Sequence, residues 1–409
     1  WPIALFNGIL DPDNKEISYY YPTATLVTGP DIIFFWVSRM IMAGYEFRKE
    51  PPFKNVYFTG IVRDEIGRKM SKQLGNSPDP LDLIATYGAD GVRMGLMLSA
   101  PAGSDILFDK KLCETGRNFC NKIWNAFRLV KGWEVDPAAE QPRAAAEAIE
   151  WFDSKLSATI AELDDLFSKF RISEALMAVY RLFWDEFSSW YLEAVKPAWQ
   201  TPVDAKTLAA VERHFDALLR LLHPFMPFIT EELWQNLAER REGESIMYAA
   251  EPRGQEPDAG VLEKMETVKA IVNGVRGVRA KRNIAPKEAL ELHVVGDQTT
   301  PWPELIGKLG NVSAIANVGE ADATAAKFIA GTTTYEVPLA DMIDTEAERA
   351  KLAKEIDYLK GFKASIEKKL SNERFVAKAP AAVVEGERKK LADAEAKIAQ
   401  LTDSLQALS

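Results

Sequence analysis

The spacing of apolar residues changes character three times along this chain. Between residues 19 and 62 the apolar runs are short and dense. "TATLVTG" reads as a strand, "IIFFWVSRMIMAGYEF" as a buried helix and "NVYFTGIV" (55–62) as a second buried strand. Gly29 and Pro30 turn the chain before the helix, and Asp31 stands where an N-cap belongs. Strand, crossover helix and strand make a piece of parallel α/β sheet. From about 80 to 250 the period is helical. "GRNFCNKIWNAFRLVKGW", "KFRISEALMAVYRLFWDEFSSWYLEAV" and "VERHFDALLRLLHPFMPFITEELWQNLAER" are amphipathic and separated by Pro- or Gly-marked breaks, which predicts a helical bundle. "EPRGQEPDAG" (251–260) reads as a linker. A small mixed unit follows: a helix to about 282, the strand "LELHVVG", a helix near 303–310 and two short strands ending in "TTTYEVPL". Beyond it Leu352, Ile356, Leu359, Ile366 and Leu370 recur at three- and four-residue steps or their sums. So do Val384, Leu391, Ala394, Ile398, Leu401 and Leu405, with Pro380 between the two runs. Two such helices predict an antiparallel coiled-coil hairpin. The fold class expected is mainly α with an α/β part.

Composition narrows the partners. At 409 residues several domains are needed, and 47% apolar residues allow them large cores. The net charge of −10 argues mildly against a polyanionic partner, but the hairpin carries 13 Lys and Arg against 12 Asp and Glu from Asp344 onward. The acidic excess therefore lies elsewhere, and the hairpin is free to meet a polyanion. Cys113 and Cys120 lie seven apart with no CxxC partner, which excludes a disulfide framework and a cysteine-rich zinc site and fits a reducing, cytoplasmic compartment. No apolar run is long enough to span a membrane. "WPIALFNGIL" has neither an initiator Met nor a charged n-region, so an internal stretch of a longer protein is expected, not a signal peptide.

The candidate chemistry begins at "RDEIGRKMSKQLGNSPDP" (63–80). Glycines, an asparagine and two prolines make this a loop, and it follows an apolar strand, where ligands of open α/β sheets bind. Lys69 and Lys72 suit a triphosphate, because preorganised cations stabilise charge that builds when pyrophosphate leaves. The Ser71 hydroxyl is placed to bond a phosphate or the loop itself. A solvated surface loop is the plain alternative. Farther on, Arg117, Asn121, Lys122, Asn125 and Arg128 form a polar stripe on one helix, which by itself reads as a solvated face opposite Phe119, Ile123 and Phe127. Trp124, Trp133, Trp184, Trp190, Trp199 and Trp234 suit base stacking, although most are expected in the core. "HPFMPFITEELW" reads as structure, with Thr230 starting or capping a helix. Arg276, Arg279, Lys281 and Arg282 suit either RNA phosphates or an exposed helix end.

"GRKMSKQLGN" resembles the KMSKS signature loop of class I aminoacyl-tRNA synthetases. With "YYYPTATLVTGPDIIFFWVSRMIMAG", "GRNFCNKIWNAF" and "KLSNERFVAKAPAAVVEGERKKL" the chain is similar to the valyl branch of that family along its length. The resemblance implies the second half of a Rossmann catalytic fold with its KMSKS loop over 1–78, and a helical stem-contact connection over 79–115. It implies an anticodon-binding bundle over 116–250, a small α/β module over 251–342 and a coiled-coil tRNA-binding arm over 343–409. It also implies ATP with Mg²⁺ as its counter-ion, no protein-bound metal, valine and tRNA(Val) as partners, and a monomer. Carried over residue by residue, Lys69 and Lys72 are catalytic, and Lys69, Met70, Ser71, Lys72, Gly29 and Asp31 bind ATP. Asp31, Ile32 and Trp36 border the amino-acid pocket. Arg117, Asn121, Lys122, Asn125 and Arg128 meet tRNA, as do Lys368, Lys369, Arg374, Arg388, Lys389 and Lys390 of the arm. Two departures stand out. Gln73 replaces the signature's final serine, and the family's HIGH histidine pair has no counterpart among His214, His223 and His293. The stretch is therefore expected to be inactive in catalysis when isolated. The rival readings are a non-catalytic tRNA-binding module, or a sister enzyme for isoleucine or leucine.

Overall fold

The fold is taken from a computed structural model that describes residues 13–71, 73–100, 104–322, 324–339 and 345–371, with single positions between 385 and 402. Two compact units divide the chain. One runs to Leu290 and adds 298–315 and 329–333; the other holds 291–297, 316–328 and 334 onward.

In the first unit α1 (Lys15–Tyr20) is capped by Asn14, whose side-chain Oδ1 accepts from the Ile17 N–H at 3.0 Å. β1 (Thr23–Thr28) pairs in parallel with β2 (Phe53–Phe58), Thr23 opposite Phe53. The connection between them is not the uniform buried helix its composition predicts. Pro30–Ile32 makes a 3₁₀ turn, Ile33–Val37 a π turn, and only Ser38–Phe47 (α2) is regular. Gly29, not Asp31, holds the N-cap position, because Pro30 fixes the first helical φ two residues earlier than expected. Phe34 and Phe35 stay 76% and 67% exposed, and Val37 and Gly44 are the buried members of this stretch. A two-stranded sheet is too narrow to cover a segment that is apolar all round. The run read as one strand over 55–62 is two. β2 ends at Phe58, and β3 (Val62–Arg63) joins β4 (Ile106–Leu107) in a separate parallel pair tied by the Arg63–Asp105 ion pair.

Helices follow: α3 (Pro80–Tyr87), α4 (Ala89–Leu98) and α5 (Lys110–Lys131), the first and last capped by Asp79 and Asp109. α4 and α5 touch backbone to backbone; a Cβ on Gly116 would sit 2.4 Å from the Gly91 carbonyl oxygen. Val135–Asp136 (β5) and Val203–Asp204 (β6) pair in parallel across the bundle's edge. Between and after them lie α6 (Arg143–Ser168), α7 (Ile172–Arg181), a π-helical turn Leu182–Tyr191, α8 (Leu192–Val195), α9 (Ala205–Leu222), α10 (Pro227–Leu237) and α11 (Ala259–Arg282). Their core is aromatic. Phe152 stacks on Tyr191 with centroids 4.6 Å apart, and Phe215 meets Phe127, Phe183 and Phe187 at 5.5 to 6.0 Å. His214 belongs to this core. Its Nδ1 lies 2.8 Å from the Tyr191 hydroxyl and its Nε2 2.7 Å from Asp153. A neutral ring that accepts from Tyr191 and donates to Asp153 satisfies all three groups. Burial holds its pKa below the usual value.

Several sequence expectations change here. Of the six tryptophans named above, Trp234 is the buried one; Trp199 and Trp124 are exposed and the other three intermediate. Cations cover part of that area, with Lys122 over Trp184 at 5.0 Å and Arg276 over Trp190 at 4.9 Å. Thr230 does not start its helix. α10 begins at Pro227, and the Thr230 hydroxyl donates back to the Met226 carbonyl at 2.7 Å. The helix is capped from outside by Asp90 of α4, which accepts from the Ile229 N–H at 2.7 Å and the Phe228 N–H at 3.3 Å. Arg279 is internal, donating to the carbonyls of Ala285, Glu288, Gly310 and Asn311 at 2.7 to 3.1 Å, and is withdrawn from the basic cluster.

α12 (Pro303–Gly310) precedes three strands where two were expected: β8 (Val312–Val318), β9 (Ala326–Ala330) and β10 (Thr333–Val337). With β7 (Leu290–Val295) they form a four-stranded sheet ordered β8-β7-β10-β9. β8 and β9 are its edge strands, and β8 is half-exposed along its length. In the second unit α13 (Thr345–Leu370) supplies the first arm helix, with Ile356 and Ile366 buried. Ala394 of the second apolar run is buried as well, while the turn between the runs lies outside the described residues.

Phe215 is fully buried among Phe127, Phe183 and Phe187, so Phe215→Ala should cost about 3–5 kcal/mol of stability, read as a lowered urea midpoint with an unchanged m-value.

Candidate nucleotide loop and nucleic-acid interface

The loop after β3 is braced by two side chains that sequence reasoning passed over. Asp64 accepts from the N–H groups of Ile66 and Arg68 at 3.2 and 2.7 Å, from the Arg68 guanidinium at 2.7 Å and from the Asn76 amide at 3.0 Å. Asn76 in turn donates to the Lys69 carbonyl at 3.2 Å and accepts from the Ser71 N–H at 2.9 Å. The Ser71 hydroxyl accepts from the N–H groups of Gln73 and Leu74 at 3.1 and 3.3 Å, so it bonds the loop itself. Gly67 and Gly75 take φ of +82° and +62°, which lets the chain fold back on Asp64. The signal was present in "GNSPDP": an asparagine after a turn glycine is suited to bond nearby backbone.

Met70 is half-buried and faces both the protein and the cavity beside the loop. It packs on the apolar cluster of Leu83, Val92, Phe108 and Cys113, together with Val62 and Leu96. Lys69, its neighbour, is exposed, with its backbone carbonyl held by Asn76. Lys72 lies outside the described residues. A cavity of about 340 Å³ opens beside the loop, lined by Asp64, Arg68, Met70, Asn76, Phe108 and Lys110 among others. The hydrogen bond from Asn76, then the contacts to Arg68, hold the Asp64 carboxyl down at about 2.

Gly29, Asp31, Ile32 and Trp36 come together on the 3₁₀ and π turns that follow β1, and Asp31, Ile32 and Trp36 are exposed. On α5 the polar stripe divides. Asn121, Asn125 and Arg128 are exposed with Trp124 beside them. Arg117 pairs with Glu114 at 3.8 Å and lies over Tyr87, and Lys122 covers Trp184. On the arm Lys368 and Lys369 are exposed in the last turn of α13, and Arg388 and Lys390, farther along the chain, are exposed as well. Arg374 and Lys389 lie outside the described residues. Among the described residues no cluster of three or more His, Cys, Asp or Glu is placed to hold a metal, and no helix is long and apolar enough to cross a membrane. Burial pushes the Cys120 thiol up to about 12, which makes it unreactive.

Comparison with known proteins gives three family matches in order along the chain. Residues 3–109 match the class I tRNA synthetases for isoleucine, leucine, methionine and valine. Residues 150–294 match the anticodon-binding domain of tRNA ligases, and 344–409 the tRNA-binding arm of valyl-tRNA synthetase. The α5 stripe falls between the first two matches. The valine–tRNA ligases of Parabacteroides distasonis and Phocaeicola vulgatus are 63% and 60% identical over 409 residues. Each match covers 100% of this chain and 47% of the relative, so the chain spans about half the length of the curated relatives it matches. A solved Mycobacterium tuberculosis methionyl-tRNA synthetase aligns over 62% of this chain and 53% of its own at TM-score 0.45 and 19% identity, too distant to support anything further.

Asn76→Ala removes partners from the Ser71 N–H and the Lys69 carbonyl. At about 0.5–1.5 kcal/mol for a net hydrogen bond, exchange of the Ser71 amide should quicken about 2- to 10-fold. The carboxyl of Asp64 titrates below the ordinary value of about 3.9, so its bracing holds from neutral pH through about 4 and is lost as pH falls through about 2. Protection of the Arg68 amide, corrected for intrinsic exchange, should follow that profile and should already be missing at about pH 4 in Asp64→Ala.

Proposed function

We propose a function from the premise that this chain, by sequence, belongs to the family of the valine–tRNA ligases. It contributes the lysine loop and the tRNA-binding elements of an enzyme that activates valine with Mg²⁺-ATP and passes it to the terminal adenosine of tRNA(Val). In activation the valine carboxylate attacks the α-phosphorus, the bond to the pyrophosphate oxygen breaks, and negative charge grows on the leaving group. Lys69 and Lys72 neutralise that charge, more strongly in the transition state than before it. The observation that carries this reading is the bracing of the loop. Asp64, Asn76 and the Met70 anchor fix its backbone while leaving Lys69 exposed beside a cavity. Met70 and Ser71 serve the loop's shape and not the nucleotide. Asp31 orients the substrate ammonium, with Ile32 and Trp36 bordering an apolar side-chain pocket. Such a pocket separates substrates by about 1–3 kcal/mol per methylene and admits a threonine isostere.

The tRNA is held at two kinds of site. Asn121, Asn125 and Arg128 are free to reach base edges of an unstacked loop. Lys368, Lys369, Arg388 and Lys390, with Arg374 and Lys389, hold phosphates and carry no sequence information. The isolated 409 residues bind tRNA and do not form valyl-adenylate, since the histidine pair of the family signature has no counterpart among the three histidines here.

Two measurements test this. The chain should bind tRNA(Val) more tightly than the same tRNA body with a changed anticodon across a salt series, and Asn121→Ala with Asn125→Ala should erase the difference. Equal binding of both RNAs by the unaltered chain would leave only phosphate contact and remove the α5 assignment. In the complete ligase, Lys69→Ala should slow ATP–pyrophosphate exchange by about 100-fold or more with little change in tRNA affinity.

A further inference from the structure

Trp199 is 89% exposed, far more than any other tryptophan in the bundle, and it does not sit on a loose segment. The turn "KPAWQTP" (196–202) is fixed at both ends. The Lys196 N–H closes the end of α8 on the Leu192 carbonyl at 2.9 Å, and the Val203 N–H donates to the Glu134 carbonyl at 2.8 Å in the β5–β6 pair. Within it the Thr201 N–H and hydroxyl both donate to the Ala198 carbonyl, at 3.0 and 2.8 Å, and Gln200 is held at a φ of +60°. Two prolines stiffen the turn further. An indole of this size left in water on a fixed pedestal gains nothing for folding.

At the foot of the same turn two ammonium groups face one carboxylate. The Lys308 Nζ donates to the Lys196 carbonyl at 2.8 Å, and the Lys196 Nζ pairs with Glu193 at 2.6 Å. Desolvation first, and then repulsion from the Lys196 charge, hold the Lys308 pKa below its usual value; Glu193 offsets this only in part. An anion seated there would relieve the repulsion. Indole and lysine pair together match the two halves of one nucleotide, a π-face and a phosphate.

We infer that the Trp199 turn is a nucleotide-binding site for an unstacked base of an RNA loop, with the base on the Trp199 indole and its phosphate on Lys308 and Lys196. The site rests on the tRNA-binding function proposed above and extends it beyond the polar stripe of α5. It gives affinity with little sequence preference, because every base offers a π-face.

The test uses the 409-residue chain and a hairpin RNA with the valine anticodon loop. Stacking of one base is worth about 1–3 kcal/mol, so Trp199→Ala should weaken binding about 5- to 150-fold while Trp199→Phe keeps most of it. Lys308→Gln should lower the slope of log affinity against log salt by about 0.7. The thermal midpoint should not move in either tryptophan variant, since the ring is exposed. If the unaltered chain binds the hairpin and Trp199→Ala binds equally well, this site is refuted and the proposed function stands. If the unaltered chain binds no RNA at all, both fall. If RNA binding is unaffected but Trp199→Ala abolishes a protein–protein complex of the chain, the indole is a protein contact and the inference is wrong.

Discussion

Met70 from the lysine loop and Cys113 from the first turns of α5 meet in one small apolar cluster with Leu83, Val92 and Phe108. With the β3–β4 pair and the Asn76 bond to the Lys69 carbonyl, this cluster sets the position of Lys69. The cluster is tight because α4 and α5 approach at backbone distance, and interiors packed at that density shift as blocks and do not deform continuously. α5 then runs on without a break to Lys131, so the same helix that anchors the loop carries Asn121, Asn125 and Arg128 into solvent. Apolar packing at one end of a rigid rod thereby fixes where polar groups stand at the other.

Polar groups inside the fold do the complementary task of fixing chain segments that have no regular ladder. Asp64 and Asn76 hold the loop by satisfying its backbone. Asp90 and Arg93 do the same for the turn into α10: Asp90 accepts two N–H groups, and Arg93 donates to the carbonyls of Phe225 and Pro224 at 3.0 and 3.1 Å. Arg279 gathers four carbonyls around the junction of α11 with the segments near Glu288 and Gly310. Unmade backbone hydrogen bonds cost about 1–3 kcal/mol each, so a single carboxylate, amide or guanidinium that meets several of them specifies a loop conformation more strongly than any one contact suggests. The basic residues divide along the same line. Arg279 completes the fold from inside, whereas Arg128 on α5 and Lys368 and Lys369 on α13 are left exposed although the net charge is −10.

What the sequence determined by itself was whatever depends on local spacing. The β1–β2 parallel pair, the helical bundle, the helix ending at Arg282 and the loop from Arg63 to Pro80 all follow from apolar period, Gly and Pro placement and caps such as Asp79 and Asp109, which act within a few residues. The "KMSK" tetrapeptide and its flanks were likewise legible as a loop, because glycine, asparagine and proline placement suffices there. Only the tertiary structure decided which of these residues stay exposed and which pack on protein. Met70 turned into the apolar cluster, Arg279 turned onto carbonyls, Thr230 yielded its capping role to Asp90 from a distant helix, and Trp199 stayed in water. The reason is that burial and hydrogen-bond partners are set by segments far apart in the chain, and a periodicity of two or three to four residues carries no information about what those segments bring.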